Sequence, residues 1–359
     1  MSPPHRWTLA LPDYRPRFPR RRYGIGILGC GQIAQTAHLP AYAKHDLRVP
    51  VVWSRHPVTT SDVRQHFPFV EAVATSAEEL IANPAVEVVD IATPTEHRLD
   101  QVAAAVDAGK HVLAQKPFTT DLARMRSLVA LAADRDVRIA VNQNGRWAPA
   151  WRLATMLVDD GAIGDVIGVT HLHDKPLPPI AGTPFDQIDH MLLSDYLVHW
   201  TDITRCWLRG KRVSSVRASD SRSPGQPASA RNPQSATLQV TCTDGTTAVL
   251  RVVGDARTTR PACPFWIHGT EGTLRGSILG GSDFIELERG GASTRFALEG
   301  QWFVDGFAGT MGELMSAIDE GREPSNSAAD NLATVAITVA ACESAARDGE
   351  TVDLAGLQL

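Results

Sequence analysis

Apolar positions along this chain follow two regimes. In the first third, short apolar runs alternate with segments whose apolar residues recur at helical spacing. Runs at 23–28, 49–53, 86–92 and 111–114 read as buried strands. Between them, Ile33, Ala34, Ala37, Leu39 and Tyr42 form one helical stripe, and the alanine-rich stretch 99–108 forms another. Strand and helix in alternation predict a parallel sheet wound with helices on both faces. From about residue 144 the pattern changes. A helix at 149–160 is followed by period-two segments. "ATLQVTCTDGTTAVLRVV" alternates on both sides of Asp244-Gly245, a hairpin pattern, and "DFIELERGGASTRFAL" reads as a second pair. A helix over "SDYLVHWTDITRCW" carries Leu193, Tyr196, Leu197, Trp200, Thr204 and Trp207 as one apolar stripe. The polar, proline-rich stretch 220–235 reads as a surface loop, and 332–346 as an alanine-rich helix. The expected organisation is an extended arm over 1–22, an α/β domain over 23–143 and an α+β domain over 144–359.

The arm is set apart by composition. Pro3, Pro4, Pro12, Pro16 and Pro19 alternate with Arg15, Arg17, Arg20, Arg21 and Arg22, a mixture that makes a poor core. "RRRYGIGILGC" imitates an export signal, but its apolar stretch is short, broken by glycine and continuous with a helix pattern. Over the whole chain 43% of the 359 residues are hydrophobic, 21% are charged and the net charge is −5, which argues against a nucleic-acid partner. No apolar run approaches the roughly 18 residues of a membrane span. Five scattered cysteines without metal-like spacing fit reduced thiols, and a cytoplasmic location is expected.

The first strand runs into Gly29-Cys30-Gly31-Gln32-Ile33-Ala34, a G-x-G-x-x-A pattern. Gly29 permits the tight turn, Gly31 leaves room for a pyrophosphate at the backbone, and Ala34 allows close packing of helix on strand. Gln32 and Ile33 open the helix, whose N-terminal N–H groups and partial positive charge suit phosphate. A dinucleotide is therefore the expected ligand. The second strand ends at Ser54 and Arg55, where an Asp or Glu that accepts from an NAD ribose is usual. A hydroxyl beside a cation suits a 2′-phosphate instead, so NADP is expected over NAD. Ligands of such sheets bind beyond the carboxyl ends of the strands, which here carry Thr93, Pro94, His97, Gln115, Lys116 and Pro117.

In the second domain Asp195, His199 and Asp202 share the face of their helix opposite the apolar stripe. Such a face is either solvated or the polar wall of a site, and spacing alone leaves both open. Arg146, Trp147, His171 and His173 are candidates to line a pocket. The histidines with Asp174 lack a metal-like spacing, and no metal is expected.

Four stretches together resemble the Gfo/Idh/MocA family of NAD(P)-dependent sugar and polyol oxidoreductases: "GILGCGQIAQTAHLPAY", "IATPTEHRLDQVAAAVDAGKHVLAQKPFTT", "WIHGTEGTLRG" and "AIDEGREPSNSAADNLATVAITVAACESA". The resemblance covers most of the chain after the arm. It implies an N-terminal Rossmann domain and a C-terminal domain with a large, mostly antiparallel open sheet. That sheet would pair subunits into a homodimer or homotetramer. The family pattern of an Asp four residues before a His matches Asp195 and His199. It implies that His199 is the base, that Asp195 steadies it, and that Lys116 sets a positive charge on the substrate oxygen. Arg146, Trp147, His173, Asp195 and His199 would then bind a sugar or polyol substrate. One departure is plain: Gln115 stands where the family usually has Glu, so the shape is kept and the charge lost. The family also holds members that keep NAD(P) bound and cleave glycosidic bonds by transient oxidation, and non-catalytic dinucleotide sensors.

Overall fold

The apolar run GIGIL forms β1 (Gly24–Leu28), with all five residues buried. It lies at the centre of a six-stranded sheet with β2 (Arg48–Trp53), β3 (Val70–Val73), β4 (Val88–Ile91), β5 (His111–Gln115) and β6 (Ile139–Asn142). The order is β3-β2-β1-β4-β5-β6, and every pair is parallel. Strands covered on both faces read as continuous apolar runs rather than alternating ones, which is why these were visible in the sequence. The computed structural model describes residues 11–281 and 283–358; the first ten residues of the expected arm lie outside them.

The chain divides into two compact units. The first joins residues 15–147 to 301–335. The second group enters through the helix Phe307–Asp319, whose Phe307, Ala308, Met311, Leu314 and Met315 share one core with Ile25, Ile27, Tyr42 and Leu113. Residues 15–22 of the arm pack on this unit. Gly312 admits the Arg17 carbonyl, which would lie 2.2 Å from an added Cβ. Phe18 sits against the His45 ring at 4.8 Å.

The second unit takes in residues 148–300 and 336–358, with 11–14 alongside. It holds β7 (Val166–His173), β8 (Arg212–Ser221), β9 (Ser235–Cys242), β10 (Thr247–Val253), β11 (Cys263–Gly269), β12 (Gly272–Ile278), β13 (Phe284–Arg289), β14 (Ala292–Phe296) and β15 (Val352–Gln358). They form one open sheet in the order β14-β13-β12-β11-β7-β10-β9-β8-β15. Only β7 and β10 pair parallel among its described neighbours. The hairpin at Asp244-Gly245 joins β9 to β10, with Gly245 at φ 88°. The stretch 220–235 differs from a plain surface loop: Gln226, Ala230 and Asn232 are buried. The cause is the buried Asp186 carboxylate, which accepts the backbone N–H of both Arg231 and Asn232. Among the described residues no helix is long and apolar enough to cross a membrane.

The floor of this sheet titrates in a definite direction. His171 on β7 stacks on Trp207 at 5.2 Å, and burial pushes its imidazole down to about 3. Burial also brings His173 down to about 4. In the unfolded chain both would titrate near 6.5. Below that pH the unfolded state binds more protons, so stability falls as pH drops from about 6.5 toward 4, by roughly 2.7 kcal/mol per pH unit for the two rings together. Urea unfolding followed by tryptophan fluorescence checks this. His171→Phe keeps the ring contact and is expected to remove about half of that slope.

Candidate active site

In the first unit, the end of β1 turns sharply. Gly29 has φ 96°, a region that disfavours side chains, and its N–H donates to the Trp53 carbonyl at 2.8 Å. A Cβ at Gly29 would also come 2.9 Å from the Ala92 backbone. Gly31 is different: among the described residues, leaving aside its own chain neighbours, nothing lies within 4 Å of the place its Cβ would take. No packing requires glycine there. The space stands over the start of the helix that begins at Gln32, while Ala34, fully buried, brings that helix onto the sheet. Gly31 and Gln32 are exposed and Ile33 half-buried. A turn that needs glycine, followed by open space at a helix start, fits a bound pyrophosphate.

At the end of β2, Ser54 is half-buried and Arg55 exposed. The Arg55 guanidinium donates to His97 Nε2 at 3.3 Å, so the two side chains form one group at the strand ends. Thr93 is buried and Pro94 exposed at the start of the helix Thr95–Asp107. Lys116, half-buried, follows directly on β5, and its backbone N–H donates to Gln115 Oε1 at 2.7 Å.

Two groups here escaped the sequence reading. Arg98, 3% exposed, donates to the Thr93 carbonyl at 2.7 Å and to the Pro117 carbonyl, and so ties the end of β4 to the Lys116-Pro117 turn. Behind it, His38, Tyr42, Asp90 and Asn142 form a buried polar cluster around Gln115. A signal was present: Asp90 interrupts an otherwise apolar strand, and a buried carboxylate there requires partners.

Arg146 is also 5% exposed. Its guanidinium donates to the Ser325 carbonyl at 2.6 Å and to Asp330 at 2.7 Å, holding the returning segment 325–330. Trp147 lies over Gly309, where an added Cβ would be 2.2 Å from the indole. Both thus have a packing duty within this unit.

In the second unit the Asp-His stretch is not one regular α-helix. Leu192–Tyr196 is a π-helical turn carrying Asp195, and Val198–Trp207 is the α-helix carrying His199. Short π segments frequently mark functional positions. Asp195 is 9% exposed, His199 half-buried and Asp202 only 1% exposed, the last paired with Arg205 at 3.5 Å. The polar face is therefore a walled one, not a solvated one. An aromatic layer supports it. Tyr196 stacks on Trp200 at 5.4 Å, and Trp151 meets Trp200 and Trp207 edge-on. His173, 2% exposed, lies 2.6 Å from the Tyr196 hydroxyl through Nε2 and so fastens β7 to the π-helical turn. Burial pushes the Tyr196 phenol well above its ordinary range, which keeps it neutral. His171 and His173 thus have aromatic neighbours in Trp207 and Tyr196.

Residues 23–143 match the family model of the oxidoreductase family with an NAD-binding Rossmann fold, and residues 151–275 match the GFO/IDH/MocA C-terminal domain. The chain is 27% identical over 353 residues to the D-apiose dehydrogenase of Paraburkholderia graminis, across 94% of this chain and 91% of that protein. It is 24% identical over 331 residues to the inositol 2-dehydrogenase of Rhizobium meliloti, across 90% and 96% of the two chains. The fold is shared with an oxidoreductase from Agrobacterium radiobacter solved with NAD+, L-tartaric acid and magnesium, at TM-score 0.82 and 23% identity over 93% of this chain and 98% of that one. With both of its domains matched, a parallel sheet ending in a glycine turn and a nine-stranded sheet beneath the Asp-His segment, the chain belongs to the Gfo/Idh/MocA family of NAD-binding oxidoreductases.

Proposed function

We propose that this enzyme is an NADP-preferring dehydrogenase or reductase that moves a hydride between nicotinamide and a secondary alcohol or ketone of a sugar, inositol or related polyol. The observation that carries the reading is the contrast at the glycine turn. Gly29 is required by its φ of 96°, whereas the place of a Cβ at Gly31 is open among the described residues. The relatives named as sugar and inositol dehydrogenases support the substrate class.

Bound dinucleotide supplies the hydride acceptor or donor. The chain's own residues handle the oxygen and its proton. His199 takes the proton as the alcohol is oxidised and returns it in the reverse direction, since imidazole is the side chain suited to this near neutral pH. Asp195 steadies the imidazolium. Lys116 stabilises the negative charge that develops on the substrate oxygen, an interaction stronger in the transition state than before it.

The NADP preference rests on Ser54 and on Arg55, held by His97 at 3.3 Å. Isothermal titration calorimetry tests it. Arg55→Ala is expected to weaken NADP+ binding by about 10–100-fold, the range of one lost charge-assisted contact, and to leave NAD+ binding nearly unchanged. Ser54→Asp is expected to reverse the preference by placing a carboxylate where a ribose hydroxyl can donate. Equal affinity for both dinucleotides in the unaltered chain contradicts the NADP assignment. No binding of either contradicts the whole reading.

A further inference from the structure

Behind Lys116 runs a chain of polar groups out of reach of solvent. The Lys116 backbone N–H can only donate, and Gln115 Oε1 accepts it at 2.7 Å. That settles which way the amide points: Gln115 Nε2 faces His38 Nε2 at 3.1 Å and donates to it. A second amide arrives from the other side. Trp302 Nε1–H, a donor only, goes to Asn144 Oδ1 at 2.7 Å. Asn144 Nδ2 therefore donates toward the Asn142 carbonyl and Oδ1, at 3.2 and 3.5 Å. Asn142 Nδ2 is left facing His38 Nε2 at 3.4 Å. With two N–H groups aimed at it, Nε2 carries a lone pair. The ring proton sits on Nδ1 and is donated to Asp90 Oδ2 at 2.7 Å, and the Tyr42 hydroxyl gives the same oxygen a second bond at 2.6 Å.

Of the cations nearest in sequence to these partners, Lys44 ends the helix Leu39–Lys44 and pairs with Asp305, and Lys116 follows directly on β5. Asp90 comes from β4, Tyr42 from the helix Leu39–Lys44, and Gln115 and Asn142 from β5 and β6. The helix Phe307–Asp319 presents the Phe307 ring at 4.8 Å, with Thr310 on Asn142 behind it. Cys30, near Asp90, is pushed up to about 12 by burial and stays a neutral thiol. His38 and Asp90 are 1% and 0% exposed.

We propose that Gln115 is a positioning residue that locks His38 as the Nδ1–H tautomer and, with the same amide, holds the backbone of Lys116. The proposal rests on the role given to Lys116 above. An amide does this and a carboxylate cannot. Glutamate at this position would still accept the Lys116 N–H through one oxygen, but its other oxygen would meet the lone pair of His38 Nε2. The ring would then take a proton from solvent and become an imidazolium between two carboxylates. Presentation of Lys116 would come to need that proton and would be lost as pH rises through the imidazolium pKa.

The test is ¹⁵N NMR of histidine-labelled full chain, without dinucleotide or substrate, from about pH 5.5 to 8.5, the span in which imidazoles ordinarily titrate. Tyr42→Phe, which removes one donor from Asp90, identifies the His38 resonances. In the unaltered chain that ring is expected to carry its proton on Nδ1 and a lone pair on Nε2 at neutral pH. In Gln115→Glu it is expected to be doubly protonated at neutral pH and to lose the proton on the alkaline side, and kcat is expected to gain a matching alkaline limb. Gln115→Met keeps the bulk without either bond and is expected to lower kcat about tenfold with dinucleotide affinity unmoved. A His38 ring that carries its proton on Nε2 in the unaltered chain overturns the proposal, as does a Gln115→Glu chain whose His38 stays neutral at neutral pH. The unaltered spectrum decides the tautomer even if Gln115→Glu does not fold. If the ring behaves as stated and the enzyme turns over no polyol, the lock stands and the catalytic reading of Lys116 fails.

Discussion

Lys116→Ala is expected to lower kcat by about 10²–10³-fold, the cost of removing a group that stabilises a developing oxyanion, with dinucleotide affinity nearly unchanged. His199→Ala is expected to lower it by about 10²–10⁴-fold, as loss of a general base does. Named contacts around each position remain in place. The Lys116 backbone stays bonded to Gln115, and the adjoining turn stays bonded through Pro117 to Arg98. The helix Val198–Trp207 keeps its aromatic support from Trp151 and Tyr196. Thermal transitions should therefore stay close to those of the unaltered chain. Near-normal turnover in both single variants removes the mechanism.

Gly31→Val is expected to abolish dinucleotide binding, by 100-fold or more, and to leave the fold intact. The expected loss follows from the open space at Gly31: a Cβ there meets none of the described residues beyond its own chain neighbours, so the added bulk falls where the ligand's pyrophosphate would lie. Gly29→Ala supplies the contrast. At φ 96°, with the Ala92 backbone 2.9 Å from the added carbon, it should destabilise the first unit itself by about 2 kcal/mol or more. Calorimetric titration with NADP+ beside thermal unfolding separates the two. A Gly31→Val chain that binds as tightly as the unaltered one places the pyrophosphate elsewhere.

Much of this site could be read before any coordinates. The glycine turn, the strand ends carrying Thr93 and Lys116, and the hairpin at Asp244-Gly245 each follow from a local rule of backbone geometry. What stayed hidden depends on distant partners. No local pattern in residues 307–319 says that Phe307, Met311 and Leu314 join the core of Ile25 and Leu113. The polar stripe of Asp195, His199 and Asp202 left open whether water or protein covers it. The structure encloses it because Arg205 accompanies Asp202 inside and a π-helical turn, invisible to a 3.6-residue period, carries Asp195. His38 lies beside the apolar stripe of Ala37 and Leu39 and carries no local signal of its own. Its importance emerged only with Asp90, Gln115 and Asn142, which come from three different strands.

One measurement bears most directly on the central claim that this chain exchanges a hydride with a polyol through its glycine-turn dinucleotide. Purified enzyme is incubated with NADP+, and separately NAD+, against a panel of inositols, aldoses and anhydro-sugars while the absorbance of reduced nicotinamide is followed. The account predicts catalytic accumulation of reduced dinucleotide with at least one member of the panel, faster with NADP+, and its loss in Lys116→Ala. Absence of reduced dinucleotide across the panel, from a chain that binds NADP+ and is folded, would contradict it.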